Sequence, residues 1–292
     1  MNNALVHILK LGKTYLDRLG TENSKHESRL IISKEIKKSE SEIILNKSLL
    51  VSEKQKKNFL HNIYKRMQGK PISRIFGLRE FYSREFFINK YTLDPRHDSE
   101  LIVETVLDII NKKKKKVFNI LDLGTGSGCL IISIILESKK IDKNISALGA
   151  DICNKAIEIA VKNKKKYNIG NELSFINSNW CSSINQKFDI ILSNPPYIKT
   201  DMISNLSNSV KNFDPLLALD GGIDGYKCFE EIIALVKDYL FEDGFLCLEI
   251  GKNQLKFLKK LIKRNNLIEY KINKDLSGVN RVIVLRLKQK KF

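Results

Sequence analysis

The chain has no long hydrophobic run. Hydrophobic residues make up 42% of its 292 positions, enough for a real core, so a disordered chain is excluded. No apolar stretch approaches the roughly 20 residues that a membrane-spanning helix needs, so no membrane span is expected. Met1 to Leu11 are too mixed for a secretory signal. Cysteine is scarce and odd in number, at 129, 153, 181, 228 and 247. No two form a C-x-x-C pair and no histidine lies at metal-ligand spacing, so neither a disulfide framework nor a zinc site is indicated. A reducing, cytoplasmic compartment is expected. Acidic residues are outnumbered, 33 against 51 Lys and Arg, for a formal net charge of +18. That excess marks either a polyanionic partner or lysine-rich codon usage. The Lys112–Lys116 run stands just before a strand, where a solvated loop belongs. Proline occurs five times, and two of the five are adjacent.

Those two prolines lie in Ser193-Asn194-Pro195-Pro196-Tyr197, after the apolar run Phe188–Leu192. The run predicts a buried strand. Neither proline has an N–H for a sheet ladder, so pairing must stop there. Pro195 also drives Asn194 into an extended conformation. The outcome is a stiff turn at the carboxyl end of a strand, where open α/β sheets bind ligands. It offers an amide, carbonyls without ladder partners and an aromatic ring, a set able to grip a planar amide or amine. A proline-rich loop with a capping Asn is the plainer alternative.

Residues 1–75 predict a small helical bundle. Leu5, Ile8, Leu9, Leu16 and Leu19 share a face, and Gly20 is placed to end that helix. Ser24 with Glu27, and Ser52 with Gln55, have capping-box spacing. Phe59, Leu60, Ile63 and Met67 form a second stripe, stopped by Gly69 and Pro71. His7, His26 and His61 are surface or packing residues on this reading. Residues 76–95 are aromatic and β-prone and predict a hairpin linking two domains. Ser99 or Asp98 should cap a helix striped by Ile102, Val106 and Ile109. From residue 117 strands and helices alternate, with strands near 117–121, 145–150, 173–176, 188–192, 245–250, 268–272 and 281–287. Alternation predicts an α/β fold: a seven-stranded, mostly parallel sheet covered on both faces. The last two strands, with only a turn between them, should form an antiparallel C-terminal edge hairpin. The third domain thus spans 96–292.

Asp122-Leu123-Gly124-Thr125-Gly126-Ser127-Gly128 runs from the first of these strands into a helix. Its glycines permit a tight turn and close approach to a ligand. The spacing is not that of dinucleotide loops, and Asp122 disfavours a pyrophosphate while suiting an amino-bearing ligand. Asp151 ends the next strand, where an acid can accept both hydroxyls of a ribose; capping the following helix is its plainer role. A nucleoside without phosphate that carries a charged amino-acid tail is S-adenosylmethionine. Trp180, the one tryptophan, walls the adenine or belongs to the core.

Together, Asp122–Gly128, Asp151 and Asn194–Tyr197 resemble the class I S-adenosylmethionine-dependent methyltransferases that use an NPPY motif on planar nitrogen. Pro71–Gly77, Glu80-Phe81-Tyr82, Pro95–Glu100, Phe213-Asp214-Pro215, Ala218-Leu219, Gly221–Gly225, Leu248–Gly251 with Gln254, and Asp275–Gly278 before Arg281 resemble one family. It is the protein-(glutamine) methyltransferase family that modifies peptide chain release factors. The resemblance covers about residues 70–287. Leu93–Glu100 and Asp214-Pro215 depart mildly from the family's usual Ile-Pro-Arg-Pro-Asp-Thr-Glu and Glu-Pro. The resemblance implies methylation of the glutamine of a Gly-Gly-Gln motif, by a monomer needing no ribosome or nucleic acid. The helical domain would recognise the release factor. It implies catalytic Asn194, Pro195 and Tyr197, a substrate grip by Asn194–Tyr197, and cofactor contacts from Gly124, Thr125, Gly126, Ser127, Gly128, Asp151, Trp180 and Asn194. No metal is required. Two alternatives stand beside it. A methyltransferase of exocyclic amines in DNA or RNA would share the loop and NPPY and use the positive charge. An idle binding module on the same fold would bind cofactor without turnover.

Overall fold

The computed structural model describes residues 4–18, 20, 23–46 and 48–288. They group into two compact units. The first runs to Gly77 and takes in Ser207–Phe213; the second comprises Leu78–Leu206 and the chain from Asp214 onward.

The first unit contains α1 (Leu5–Asp17), α2 (Ser24–Ile36), α3 (Glu40–Leu45), α4 (Glu53–Met67) and α5 (Ile72–Phe76). The helical stripes meet in one core of Leu5, Ile8, Leu16, Ile31, Ile32, Phe59 and Ile63, with Leu9, Leu60 and Met67 at its margin. Leu19, assigned to the same stripe, lies outside the described residues. Two capping boxes form, the anticipated Ser52–Gln55 and a further one at Ser39–Glu42. The expected Ser24–Glu27 box does not form. Its two side chains are engaged elsewhere: the Ser24 hydroxyl turns to Asp17, and Arg66 grips Glu27 through two bonds of 2.8 and 2.9 Å. Gly12 lets α1 approach its neighbours closely. A Cβ there would overlap the Phe59 ring and the Ser28 hydroxyl.

The second unit begins with β1 (Leu78–Phe81) and β2 (Arg84–Phe87), then α6 (Glu100–Lys112), β3 (Val117–Leu123), α7 (Cys129–Lys140), β4 (Asn144–Asp151), α8 (Asn154–Lys166), β5 (Leu173–Asn177) and β6 (Phe188–Ser193). The short α9 (Asn208–Lys211) falls in the segment that groups with the first unit. The second unit closes with α10 (Lys227–Tyr239), β7 (Leu240–Glu249), α11 (Leu255–Arg264), β8 (Leu267–Lys274) and β9 (Asn280–Leu287). Seven strands form one sheet in the order β5-β4-β3-β6-β7-β9-β8. β3 through β7 pair in parallel, and β9 runs antiparallel to both β7 and β8. β9 is therefore the one reversed strand, and β8 lies outermost. Two register shifts interrupt β8 against β9, at Glu269/Lys271 and Asn273/Lys274. β6 is buried along its whole length, as a central strand covered on both faces must be. Side chains of α6 and α7 fill one face of the sheet, and those of α10 and α11 the other.

Two further expectations change. The 76–95 hairpin does not act as a linker but belongs to the second unit. Phe81 and Phe86 are fully buried in its core, and Asn163 of α8 clamps Phe87, accepting from its N at 2.7 Å and donating to its O at 2.9 Å. Neither Ser99 nor Asp98 caps α6 through its side chain, because Ser99 accepts from Asn194 and Asp98 pairs with Arg281. The Lys112–Lys116 run is the largely exposed stretch expected before β3, and four of its lysines meet carboxylates: Lys112 meets Asp108, Lys113 Asp243, Lys115 Asp189 and Lys116 Asp142. Among the described residues no helix is long and apolar enough to cross a membrane.

Gly12→Ala should destabilise the first unit by about 1–3 kcal/mol, the usual cost of overpacking. Denaturant unfolding compared with wild type checks this; an unchanged midpoint would show that the helices can separate without penalty.

Candidate active site

The switch point of the sheet lies between β3 and β6. From β3 the chain winds outward through β4 to β5, and then returns to lay β6 on the other side of β3. Ligands bind in the crevice that such a reversal opens at the strands' carboxyl ends. Register places the key residues on one tier. Leu123 pairs with both Ala150 and Ser193, Asp151 with Asn177, and Ser193 with Leu248. The next residues out, Gly124, Asp151, Asn194 and Glu249, therefore leave neighbouring strands at the same height.

A cleft of about 350 Å³ opens above this tier, within the range of small-molecule sites. Gly124, Thr125, Gly126, Ser127, Asp151, Trp180, Asn194 and Pro196 all line it. Gly128, Pro195 and Tyr197 do not. The three glycines thus separate by role. Gly124 and Gly126 have φ of +70° and +56°, and a Cβ there would meet nothing closer than 3.9 Å. A Cβ on Gly128 would instead press on Ile132, Ala160 and Phe175 at 3.2–3.3 Å, so this glycine serves helix packing.

Two acids support the loop from below and beside it. Asp122 is fully buried. Its Oδ2 accepts from the Thr125 hydroxyl at 2.7 Å, and its Oδ1 has no partner. Burial, with a smaller push from the Asp151 charge, raises its pKa to about 7. Asp151 accepts from Gly126 N at 2.8 Å and from Cys153 N at 2.9 Å. Its carboxylate keeps lone pairs for further donors, so helix support and a ribose contact are compatible. Burial raises its pKa as well. The Trp180 indole lines the cleft and donates from Nε1 to Glu231 at 2.5 Å. Asp151, Asp220 and Glu231 against Lys227 give the wall an acidic balance, suited to a cationic ligand. The glycine cradle and that acidic wall fit S-adenosylmethionine, which carries an ammonium and a sulfonium.

At the other end of the tier Asn194 donates from Nδ2 to Ser99 Oγ at 2.9 Å. Its Oδ1 is thereby left as the free face of the amide. The Tyr197 ring packs with the core beneath the sheet end, and its hydroxyl donates to Glu249 Oε1 at 3.1 Å. Sequence reasoning placed that ring over the substrate and gave no part to Ser99, Glu231 or Glu249. Glu249 did carry a signal: like Asp122 and Asp151, it is an acid ending an apolar strand. Ser99 carried none.

Residues 97–211 match the Methyltransferase small domain family, and residues 7–77 match the PrmC N-terminal domain. With the sheet order and the cradle, these matches define an S-adenosylmethionine-dependent methyltransferase with a helical N-terminal domain. The release factor glutamine methyltransferase of Agrobacterium fabrum is 37% identical, over 77% of this chain and 77% of that protein. Its counterpart in Fusobacterium nucleatum is 34% identical, over 93% of this chain and 76% of that protein. The bifunctional methyltransferase of Rickettsia bellii is 32% identical over 99% of this chain but only 56% of that protein, so the chain spans little more than half of that relative's length. The chain belongs to the release factor glutamine methyltransferase family.

Two outcomes follow from the acids. Asp151→Ala should weaken S-adenosylmethionine binding by about 1.5–3 kcal/mol, the range for hydrogen bonds to a charged group; unchanged affinity by calorimetry in a folded variant would remove the ribose contact. Asp122 binds its proton more tightly in the folded than in the unfolded chain. Its contribution to stability is therefore full below about pH 4 and is lost as pH rises toward 7. Asp122→Asn should accordingly raise the thermal midpoint of the unliganded protein more at pH 8 than at pH 5. A pH-independent difference would contradict the buried carboxyl.

Proposed function

We propose that the protein transfers the methyl group of S-adenosylmethionine to the side-chain amide nitrogen of a glutamine in peptide chain release factors, the glutamine of their Gly-Gly-Gln motif. The observation that carries this is Asn194. Its amide reaches the cleft from the tier of the cofactor loop, with one face held by Ser99. The names of the relatives supply the substrate class.

An amide nitrogen is a poor nucleophile, because its lone pair is shared with the carbonyl. When bound, S-adenosylmethionine supplies an electrophilic methyl on a sulfonium. Asn194 Oδ1 accepts one N–H of the substrate amide, and the Pro195 carbonyl, between the two cleft-lining residues Asn194 and Pro196, accepts the other once substrate is seated. That fixes the nitrogen's direction, and orientation alone is a large share of such catalysis. The same two acceptors favour the nitrogen as it becomes pyramidal and positive. Its surplus proton then leaves to water, so no strong base is needed. Pro196 shapes the cleft edge, while Tyr197 anchors the turn through Glu249. In this reading the first unit recognises the release factor. One chain acts alone, without ribosome or nucleic acid, in a reducing cytoplasm that suits five free cysteines. The nucleic-acid alternative loses support where the lysine run is answered by carboxylates.

The test uses purified protein, release factor and cofactor, read by peptide mass spectrometry. One added methyl on the glutamine is expected; an unmodified glutamine, with methyl found on added nucleic acid, would overturn the proposal. Asn194→Ala should keep cofactor affinity but lose about a hundredfold in single-turnover rate, as when one preorganised transition-state contact is removed. Asn194→Asp should fall between Ala and wild type, since it keeps an acceptor oxygen but places a second acid near Glu249.

A further inference from the structure

Glu249 is 1% exposed and does not line the cleft, and the mechanism above uses it only as the anchor of Tyr197. It ends β7 beside the point where Asn194 leaves β6. The groups that act on it are two hydroxyls, one guanidinium and, with opposite effect, the Asp98 carboxylate. The Tyr197 hydroxyl donates to Oε1 at 3.1 Å. Oε2 is buried and has no hydrogen-bond partner, while the Ser99 hydroxyl and Tyr197 both favour the charged form. Arg281, one residue from the Glu249–Val282 pair, supplies positive charge and is itself held by Asp98 at 3.1 Å and Asp275 at 2.8 Å.

The consequence lies in the single proton of Ser99. A carboxylate can only accept. An ionised Glu249 with an open Oε2 draws the Ser99 proton toward itself, and the Ser99 lone pairs are then left for Asn194. Asn194 must then offer its NH2 to Ser99 and its Oδ1 to the cleft. Turned the other way, Ser99 would donate to Asn194, and the amide would present NH2 to a substrate that itself needs acceptors. Tyr197 ties the far end of the same turn to the same acid. We propose that Glu249 is a positioning residue that sets, through Ser99 and Tyr197, which face Asn194 presents to the substrate amide. This rests on the reading of Asn194 as the substrate's acceptor.

Glu249→Gln is the decisive substitution. It is nearly isosteric, but its NH2 donates, so Ser99 is no longer held in one sense. The turnover rate should drop about tenfold or more, by comparison with loss of a direct transition-state contact, while KM for cofactor and release factor stays within about twofold. Ser99→Ala should lower the rate alone but add little to Glu249→Gln, the non-additivity of residues acting as one chain. Burial, with a smaller push from the Asp98 charge, raises the Glu249 pKa to about 7 against the pull of Ser99, Tyr197 and Arg281. Activity should therefore fall on the acid side of neutrality in wild type and lose that limb in Glu249→Gln. A readout free of turnover is the Asn194 side-chain NH2 resonance of the unliganded protein. It should move with the Glu249 titration and become flat in the variant. Wild-type turnover in folded Glu249→Gln, or an Asn194 resonance indifferent to Glu249, would overturn the proposal. Full activity in Asn194→Ala would instead overturn the reading of Asn194, leaving the resonance experiment to judge the relay.

Discussion

The register of β3 against β6 is the constraint on which the site depends. Leu123 opposite Ser193 sets the glycine loop and the NPPY turn at one height on adjacent strands, and the Ser193 hydroxyl locks that height by donating to Leu123 O at 2.7 Å. A slip of one residue would turn every side chain of β6 to the other face and carry Asn194 away from the cradle. The same tier continues to Asp151 on one side and Glu249 on the other. Cofactor support, substrate grip and its buried anchor are thus consequences of one set of backbone pairings.

This arrangement trades stability for chemistry. Asp122 and Glu249 are each buried with one carboxylate oxygen lacking a full partner, a costly condition for any acid. Apolar residues there would suit an inert sheet better. Both acids stand at the tier, below the loop and behind the turn, where a fixed acceptor has something to orient. The clusters that cover the two faces of the sheet are dominated by aliphatic and aromatic side chains, and Asp189, the acid buried within β6, is answered by Lys115 and Asn119 N.

Much of this was legible because it is local. The glycine loop, the acid after the second strand and the double proline each declare a backbone geometry within a few residues. The strand alternation likewise fixed the sheet class and the terminal hairpin. What was missed depends on partners far along the chain. Ser24 and Ser99 look like helix caps, but Asp17 and Asn194 claim their hydroxyls. The 76–95 hairpin looks like a linker until Asn163 and the core around Phe86 are in place. Tyr197 reads as a substrate platform because sequence shows that a ring follows the turn, not that Glu249 draws it inward. Glu249 itself was within reach: it shares the pattern of an acid closing an apolar strand with Asp122 and Asp151.

The outermost strand has a different significance. An open sheet ends in a row of unpaired N–H and C=O groups that can recruit a strand from another molecule. On β8 that row is broken by the shifts at Glu269/Lys271 and Asn273/Lys274, and Lys271 and Lys274 add charge along it. A foreign strand would find its hydrogen bonds out of step after a few residues and would meet like charge on a lysine-rich copy of itself. The irregular hairpin therefore acts as a guard against self-templated aggregation, letting the sheet end in water without a covering element.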